Sequence, residues 1–149
     1  MAITTPLFHL ALPVDDLDAA AVFYGEVLGC PKGRESGRWI DYNFWGHQLV
    51  VHLVKTEQLP ELSRNPVDGE QVPASHFGVI LPWDELLLLE ERLRFAGESF
   101  VIAPVTRFPG RQGEQRTFFI VDPAGNHLEF KALRDSQMLF ATDSLDYPE

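Results

Sequence analysis

The sequence is short of cysteine, of basic residues and of long apolar runs, and each shortage removes a class of function. Cys30 is the single cysteine, so no internal disulfide can form and nothing points to an oxidising compartment; a cytoplasmic location is expected. Lying between Gly29 and Pro31 with no basic neighbour, it reads as a small core residue rather than a nucleophile. Lys and Arg number 12 against 22 Asp and Glu, for a net charge of -10 and a pI near 4.8. That balance argues against nucleic acid and against anionic membrane surfaces, both of which recruit basic patches. The longest unbroken apolar run, Ala19 to Tyr24, is far too short to span a bilayer. Met1 to Thr5 lacks the basic region of a signal peptide. Small molecules remain as the expected partners.

What is present suits a folded domain: 149 residues, of which 45% are hydrophobic, can bury a real core. Leu7 to Pro13 alternates as a strand with Leu7, His9 and Ala11 on one face. Asp15 or Asp16 can cap a helix in which Leu17, Ala20, Ala21, Tyr24 and Leu28 recur at helical spacing, and Gly29 stops it. Trp39 to Phe44 and Gln48 to Val54 read as strands separated by a turn at Gly46 and His47, with a weak further strand expected within 30–38. Residues 55–74 hold Pro60, Pro66, Gly69 and Pro73 and show no period, so a linker is expected there. The order then recurs. Ser75 to Leu81 is a strand, Asp84 to Ala96 an amphipathic helix ended by Gly97, and Ser99 to Val105, Gln115 to Val121 and Asn126 to Lys131 are strands. His76 follows His9 by 67 residues and Gly97 follows Gly29 by 68. Glu129 follows His52 by 77, with the surplus assigned to the Gly110 to Gly113 loop. Such offsets indicate a duplicated unit: modules at about 7–54 and 75–132, a linker at 55–74 and a tail at 133–149 in which Met138, Leu139 and Phe140 can dock.

Asp122-Pro-Ala-Gly-Asn is a sharp reversal, because Pro123 fixes φ, Gly125 accepts positive φ and Asn126 tolerates it. The strand that follows carries His127, Glu129 and Lys131 on one face and Leu128 and Phe130 on the other. Glu129 is either a solvated edge carboxylate or a group that meets a cation. In the repeat register the first strand of each half carries a His (His9, His76) and the last strand carries His52 or Glu129, four candidate metal ligands at equivalent positions.

These four residues resemble a known family when taken with Leu17 to Gly29 (Leu-Asp-Ala-Ala-Ala-Val-Phe-Tyr-Gly-Glu-Val-Leu-Gly) and Asp-Pro-Ala-Gly-Asn-His-Leu-Glu-Phe. The family is the vicinal oxygen chelate superfamily, which includes glyoxalase I, fosfomycin- and bleomycin-resistance proteins and extradiol dioxygenases. The resemblance covers about residues 7–131. It implies an α+β fold of two βαβββ modules forming an open cup around a divalent metal, often in a homodimer. His9, His76 and Glu129 match the two histidines and glutamate that the dioxygenases use for iron. His52 matches the place where glyoxalase I has a further Glu or Gln ligand, and is a departure.

The donor types suit the chemistry: two imidazoles and one carboxylate on a face of an octahedron hold Fe(II) and leave sites for a chelating substrate and dioxygen. A bound His52 would favour Lewis-acid chemistry with Ni, Zn, Co or Mn; unbound, it is a candidate base for a substrate hydroxyl. His127 is a candidate proton carrier or hydrogen-bond partner of Glu129, or a surface histidine. Arg107, Arg111 and Arg116 are candidates for a substrate carboxylate or phosphonate, or solvated loop charges. Trp39, Tyr42, Phe118 and Phe119 could line a drug-binding cleft, or fill the core. The expected activity is that of a dioxygenase-like enzyme on a catechol-type substrate. A glyoxalase-type isomerase or lyase and a non-catalytic drug-binding protein are the alternatives.

Overall fold

Period-2 alternation needs a helix to cover the apolar face of each sheet, and the computed structural model, which describes residues 2–67 and 69–142, shows this arrangement twice. The chain divides into two units: the first runs to Pro60 and includes Asp122–Asn126, and the second comprises Glu61–Val121 and the chain from His127 onward.

In the first unit, strands β1 (His9–Val14), β2 (Lys32–Glu35), β3 (Trp39–Phe44) and β4 (His47–Leu53) form a sheet of order β1-β4-β3-β2. β1 runs parallel to β4 and the other pairs are antiparallel. Helix α1 (Leu17–Ala20) is capped by the Asp16 carboxylate, which accepts from the Ala19 amide at 3.0 Å. It continues as a π-helical segment, Ala21–Val27, and the chain leaves it through Gly29 at φ 74°. Phe23, Tyr24 and Leu28 are buried, as are Ile40, Tyr42, Leu49 and Val51 of the sheet. The opposite face of the sheet carries His9, Asp41, Gln48, Val50 and His52.

The second unit repeats the order. β7 (Ile102–Arg107), β8 (Gln115–Val121) and β9 (His127–Leu133) are antiparallel neighbours, and residues 77–80 run parallel to β9 through bridges Phe77↔Leu128 and Ile80↔Lys131. The expected strand over 75–81 is thus reduced to two bridges. Helix α2 (Trp83–Phe95) buries Leu86, Leu89 and Leu93, and Phe118, Ile120, Leu128, Phe130 and Ala132 of the sheet are fully buried too. Each such leucine contributes ~1.5–3 kcal/mol over an exposed one. Asp84 and Glu85 in the first turn and Arg92 and Arg94 in the last complement the helix dipole. Gly97, at φ 77°, closes α2: its amide donates to the Arg94 carbonyl and the Glu98 amide to that of Leu93, the paired bonds that an αL glycine permits.

The stretch expected as a featureless linker instead forms a hairpin, β5 (Arg64–Val67) and β6 (Glu70–Pro73), paired antiparallel. Its prolines are tolerated because a two-stranded ribbon has only edges. Ser136–Phe140 of the tail forms a 3-10 turn; residues 143–149 lie outside the described residues. Among those described, no helix is long and apolar enough to cross a membrane.

Candidate functional site

β9 begins straight after the Asp122–Asn126 turn, which itself belongs to the first unit. Asp122 is buried, and its carboxylate accepts four hydrogen bonds: from the amides of Ala124 (2.9 Å) and Asn126 (2.8 Å), the Asn126 side-chain amide (2.9 Å) and the Tyr24 hydroxyl (2.7 Å). Burial and the Asp122 charge push the Tyr24 hydroxyl well above its ordinary value, so it stays a donor.

Glu129 faces Gly78 across the parallel pairing, and a Cβ on Gly78 would fall on the Glu129 carbonyl oxygen. This close approach brings His76 to Glu129, with Nε2 and Oε2 3.1 Å apart. The other polar atom of each side chain is taken. His76 Nδ1 lies 2.7 Å from the Pro73 carbonyl oxygen, which can only accept, so Nδ1 bears the hydrogen. Glu129 Oε1 accepts from the Thr117 hydroxyl at 2.7 Å. In the neutral ring, Nε2 is then a lone pair aimed at a carboxylate oxygen, an arrangement that needs a proton or a cation between the two atoms. Two donors at right angles about a metal with bonds of ~2.1 Å stand ~3 Å apart, so the pair fits a divalent ion. The His76 ring packs edge-on against Phe119, with centroids 5.0 Å apart.

Glu129, Thr117 and Phe119 line a cavity of about 760 Å³ within the second unit. Val67 and Val72 of the β5–β6 hairpin and Met138 and Leu139 of the tail contribute apolar surface to it, while Arg107 and Lys131 contribute cations. Phe140, by contrast, is exposed.

In the first unit, His9 Nδ1 lies 2.8 Å from Gln48 Oε1, Gln48 Nε2 lies 3.4 Å from Asp41 Oδ2, and Arg34 Nε lies 3.3 Å from the same oxygen. His52 is exposed on the same face of the sheet, four residues beyond Gln48. His47 accepts the Phe8 amide hydrogen at Nδ1 (3.0 Å). Within neither unit do three His, Cys, Asp or Glu side chains gather among the described residues. His76 and Glu129 meet in the second unit, while His9 and His52 belong to the first.

The pairing registers also revise the repeat. His9 lies opposite Gln48, so Ala11 lies opposite Val50; Phe77 lies opposite Leu128, so Gly78 lies opposite Glu129. Val50, and not His52, is therefore the internal equivalent of Glu129, and His52 corresponds to Lys131. The same shift relates the turn glycines Gly46 and Gly125, 79 residues apart.

Of the three arginine candidates, Arg107 lines the cavity and Arg111 sits in the exposed loop beyond β7. Arg116 points the other way. It is one residue out of phase with Thr117, and its guanidinium holds Glu90 of α2 through two 2.8 Å bonds and reaches the Thr106 hydroxyl at 2.9 Å. These bonds hold the buried Glu90 carboxyl below its usual range and turn the Arg116 guanidinium toward α2. His127 is buried, not on the surface. Of the aromatic candidates, Tyr42 and Phe118 are core and Phe119 lines the cavity. The sequence reading gives no role to Thr117, Gln48, Asp41 or Lys131; parity puts Lys131 on the face of Glu129, and the β8–β9 register brings Thr117 to the same face.

Comparisons with known proteins bear on the fold and the family. A crystal structure described as glyoxalase/bleomycin resistance protein/dioxygenase from Alicyclobacillus acidocaldarius superposes with a TM-score of 0.72 at 33% identity, covering 94% of this chain and 100% of that one. The genomically encoded fosfomycin resistance protein FosX from Listeria monocytogenes gives 0.67 at 17% identity, covering 91% and 98%. A virulence protein from Salmonella typhimurium gives 0.57 at 27%, covering 88% and 98%. No curated protein matches in sequence. The sequence profile of the glyoxalase/bleomycin resistance protein/dioxygenase superfamily matches residues 7–130, and with that span and the duplicated strand order the chain belongs to this superfamily, the vicinal oxygen chelate group.

Proposed function

We propose that the protein is a metal-dependent, dioxygenase-like enzyme acting on a small catechol-type substrate with two neighbouring oxygens, and that His9, His76 and Glu129 hold the metal, Fe(II) by preference. The observation that carries this reading is the His76 Nε2–Glu129 Oε2 approach of 3.1 Å, with Nδ1 and Oε1 already committed elsewhere. His9 completes the set that the family resemblance implies. When bound, such an ion supplies an electrophilic centre on which adjacent substrate oxygens can chelate.

The remaining work falls to the chain itself. Thr117 and the Pro73 carbonyl fix the orientation of Glu129 and His76 before any ligand arrives. Phe119 forms an apolar wall, and Arg107 and Lys131 attract an anionic group on the substrate. His52 is assigned as the base, taking a hydroxyl proton on a ring nitrogen. A role as ligand is not required of it, because His9, His76 and Glu129 already make a three-residue set that leaves sites open. Val50, where a fourth ligand would stand, has no donor atom, which disfavours the glyoxalase I-type isomerase or lyase. A homodimer in a reducing compartment is the expected working form.

Anaerobic purification, metal analysis and an oxygen-uptake assay with catechols test the reading. Iron with substrate-dependent oxygen uptake supports it. Nickel or zinc without uptake favours the isomerase, and ligand binding with no metal favours a drug-binding protein. His52→Ala should keep most of the metal and lower turnover at least tenfold; if it strips the metal as thoroughly as His9→Ala does, the three-ligand assignment fails.

A further inference from the structure

A histidine presents a lone pair to a metal only from the nitrogen that carries no hydrogen, so whatever bonds to the other nitrogen decides whether the ring is ready. In the second unit a main-chain carbonyl decides this for His76. At the His9 ring the partner is a side chain, the Gln48 amide, which begins a file of side chains. A guanidinium can only donate, so the Arg34 Nε contact at 3.3 Å marks Asp41 Oδ2 as an acceptor. The Gln48 atom 3.4 Å from that same oxygen must then be the amide nitrogen, since a carbonyl oxygen there would face another acceptor. With Nε2 turned toward Asp41, Gln48 turns Oε1 toward His9, 2.8 Å from Nδ1. An amide oxygen accepts only, so Nδ1 carries the hydrogen and Nε2 is the free lone pair. Asp41 is buried and lies opposite Val50 in the sheet, which fixes the origin of the file in the framework of the unit.

We propose that Asp41 and Gln48 are positioning residues that lock His9 in the Nδ1–H tautomer, so that its Nε2 is ready for a divalent metal before the metal arrives. The inference deepens the metal-enzyme reading and rests on it for its purpose, but the tautomer can be measured without metal. The two halves thus reach one protonation pattern by unrelated routes: Pro73 O for His76, and Asp41 through Gln48 for His9.

Long-range ¹H–¹⁵N correlation spectra of the metal-free full-length protein, at about pH 8 where an ordinary imidazole (pKa ~6.5) is neutral, read the tautomer of each ring. Wild type should show His9 with hydrogen on Nδ1. Gln48→Leu should lose that preference and bind Mn(II) about 10- to 100-fold more weakly in a calorimetric titration, with its thermal midpoint as the control for folding. Gln48→Glu, which offers only acceptors, should keep the Nδ1–H form. Asp41→Asn, which relaxes the amide orientation, should fall between. A wild-type His9 with hydrogen on Nε2, or a Gln48→Leu spectrum unchanged at His9, overturns the proposal. Failure of wild type to bind any divalent metal overturns the functional reading instead, and leaves the tautomer assignment to the spectra.

Discussion

The two halves share a strand order and differ in how tightly the first strand meets the last. In the first, Ala11 lies opposite Val50 and its side chain is accommodated; β1 keeps six residues of continuous pairing with β4. In the second, Gly78 lies opposite Glu129 with no room for a Cβ, and pairing survives only as bridges at Phe77 and Ile80. The half with the poorer strand holds the preformed His–Glu pair. Regular pairing and close approach therefore compete, and a duplicated framework lets one copy favour each.

The sharpest way to break this comparison is Gly78→Ala. The added Cβ collides with backbone, which cannot rotate away, so we expect a loss of ~3 kcal/mol in denaturant unfolding and a severe loss of metal binding. The reciprocal Ala11→Gly should cost ~1 kcal/mol or less and leave metal affinity unchanged. Similar costs for the two would show that the halves are alike.

Next in size is Arg116→Met, which removes the two bonds to Glu90 while Arg94 remains at 3.3 Å. A fully buried pair broken on one side costs ~3–5 kcal/mol; both groups here retain some solvent, so ~2 kcal/mol is expected. KM should not change, because Arg116 faces α2 and not the cavity. Arg116 lowers the Glu90 carboxyl chiefly by hydrogen bonding. Its stabilisation is thus present above the ordinary carboxylate range and is lost as pH falls through the lowered folded value. Acid unfolding monitored by circular dichroism should accordingly be shallower in Arg116→Met.

Within the first half, Tyr24 and Tyr42 provide a smaller contrast. Tyr24→Phe removes a bond to a carboxylate and should cost ~1–2 kcal/mol. The Tyr42 hydroxyl is buried without a partner among the described residues, so Tyr42→Phe should be near neutral at pH 7. Burial pushes the Tyr42 hydroxyl up to about 12, whereas an unfolded tyrosine ionises near 10. Stability should therefore fall as pH rises from ~10 to ~12, and Tyr42→Phe should flatten that fall.

Much of this was legible from alternation and punctuation. Strand parity separates Leu128 and Phe130 from His127, Glu129 and Lys131, and Gly29 and Gly97 mark both helix ends. The short β2 strand was expected within 30–38. Three things were hidden. Pro66, Gly69 and Pro73 read as a linker because proline and glycine punctuate loops, yet a two-stranded ribbon tolerates both. The histidine offsets hide the equivalence of Val50 with Glu129, whereas the 79-residue offset between the turn glycines Gly46 and Gly125 carries it. Charge alone does not separate Arg116 from Arg107, but Arg116 is in phase with the core residues Phe118 and Ile120, which belong to the helix side. Nothing in the sequence announces Gln48 as the neighbour of His9, since that depends on the register of a parallel pair.

The Tyr24–Asp122 bond joins residues 98 positions apart, and Asn126 also donates to the Pro13 carbonyl at 3.0 Å. On the ribosome, the first half emerges long before the pentapeptide that completes it. Until then the Tyr24 hydroxyl has no Asp122 to receive it, and closure of so long a loop is slow. A fragment ending at Pro60 should accordingly be less stable than the same half in the full chain, and a synthetic Asp122–Asn126 peptide is too short and too weakly held to restore it. Vectorial synthesis and final packing are thus out of step, and a stretch of chain made long after the first helix fastens that helix in place.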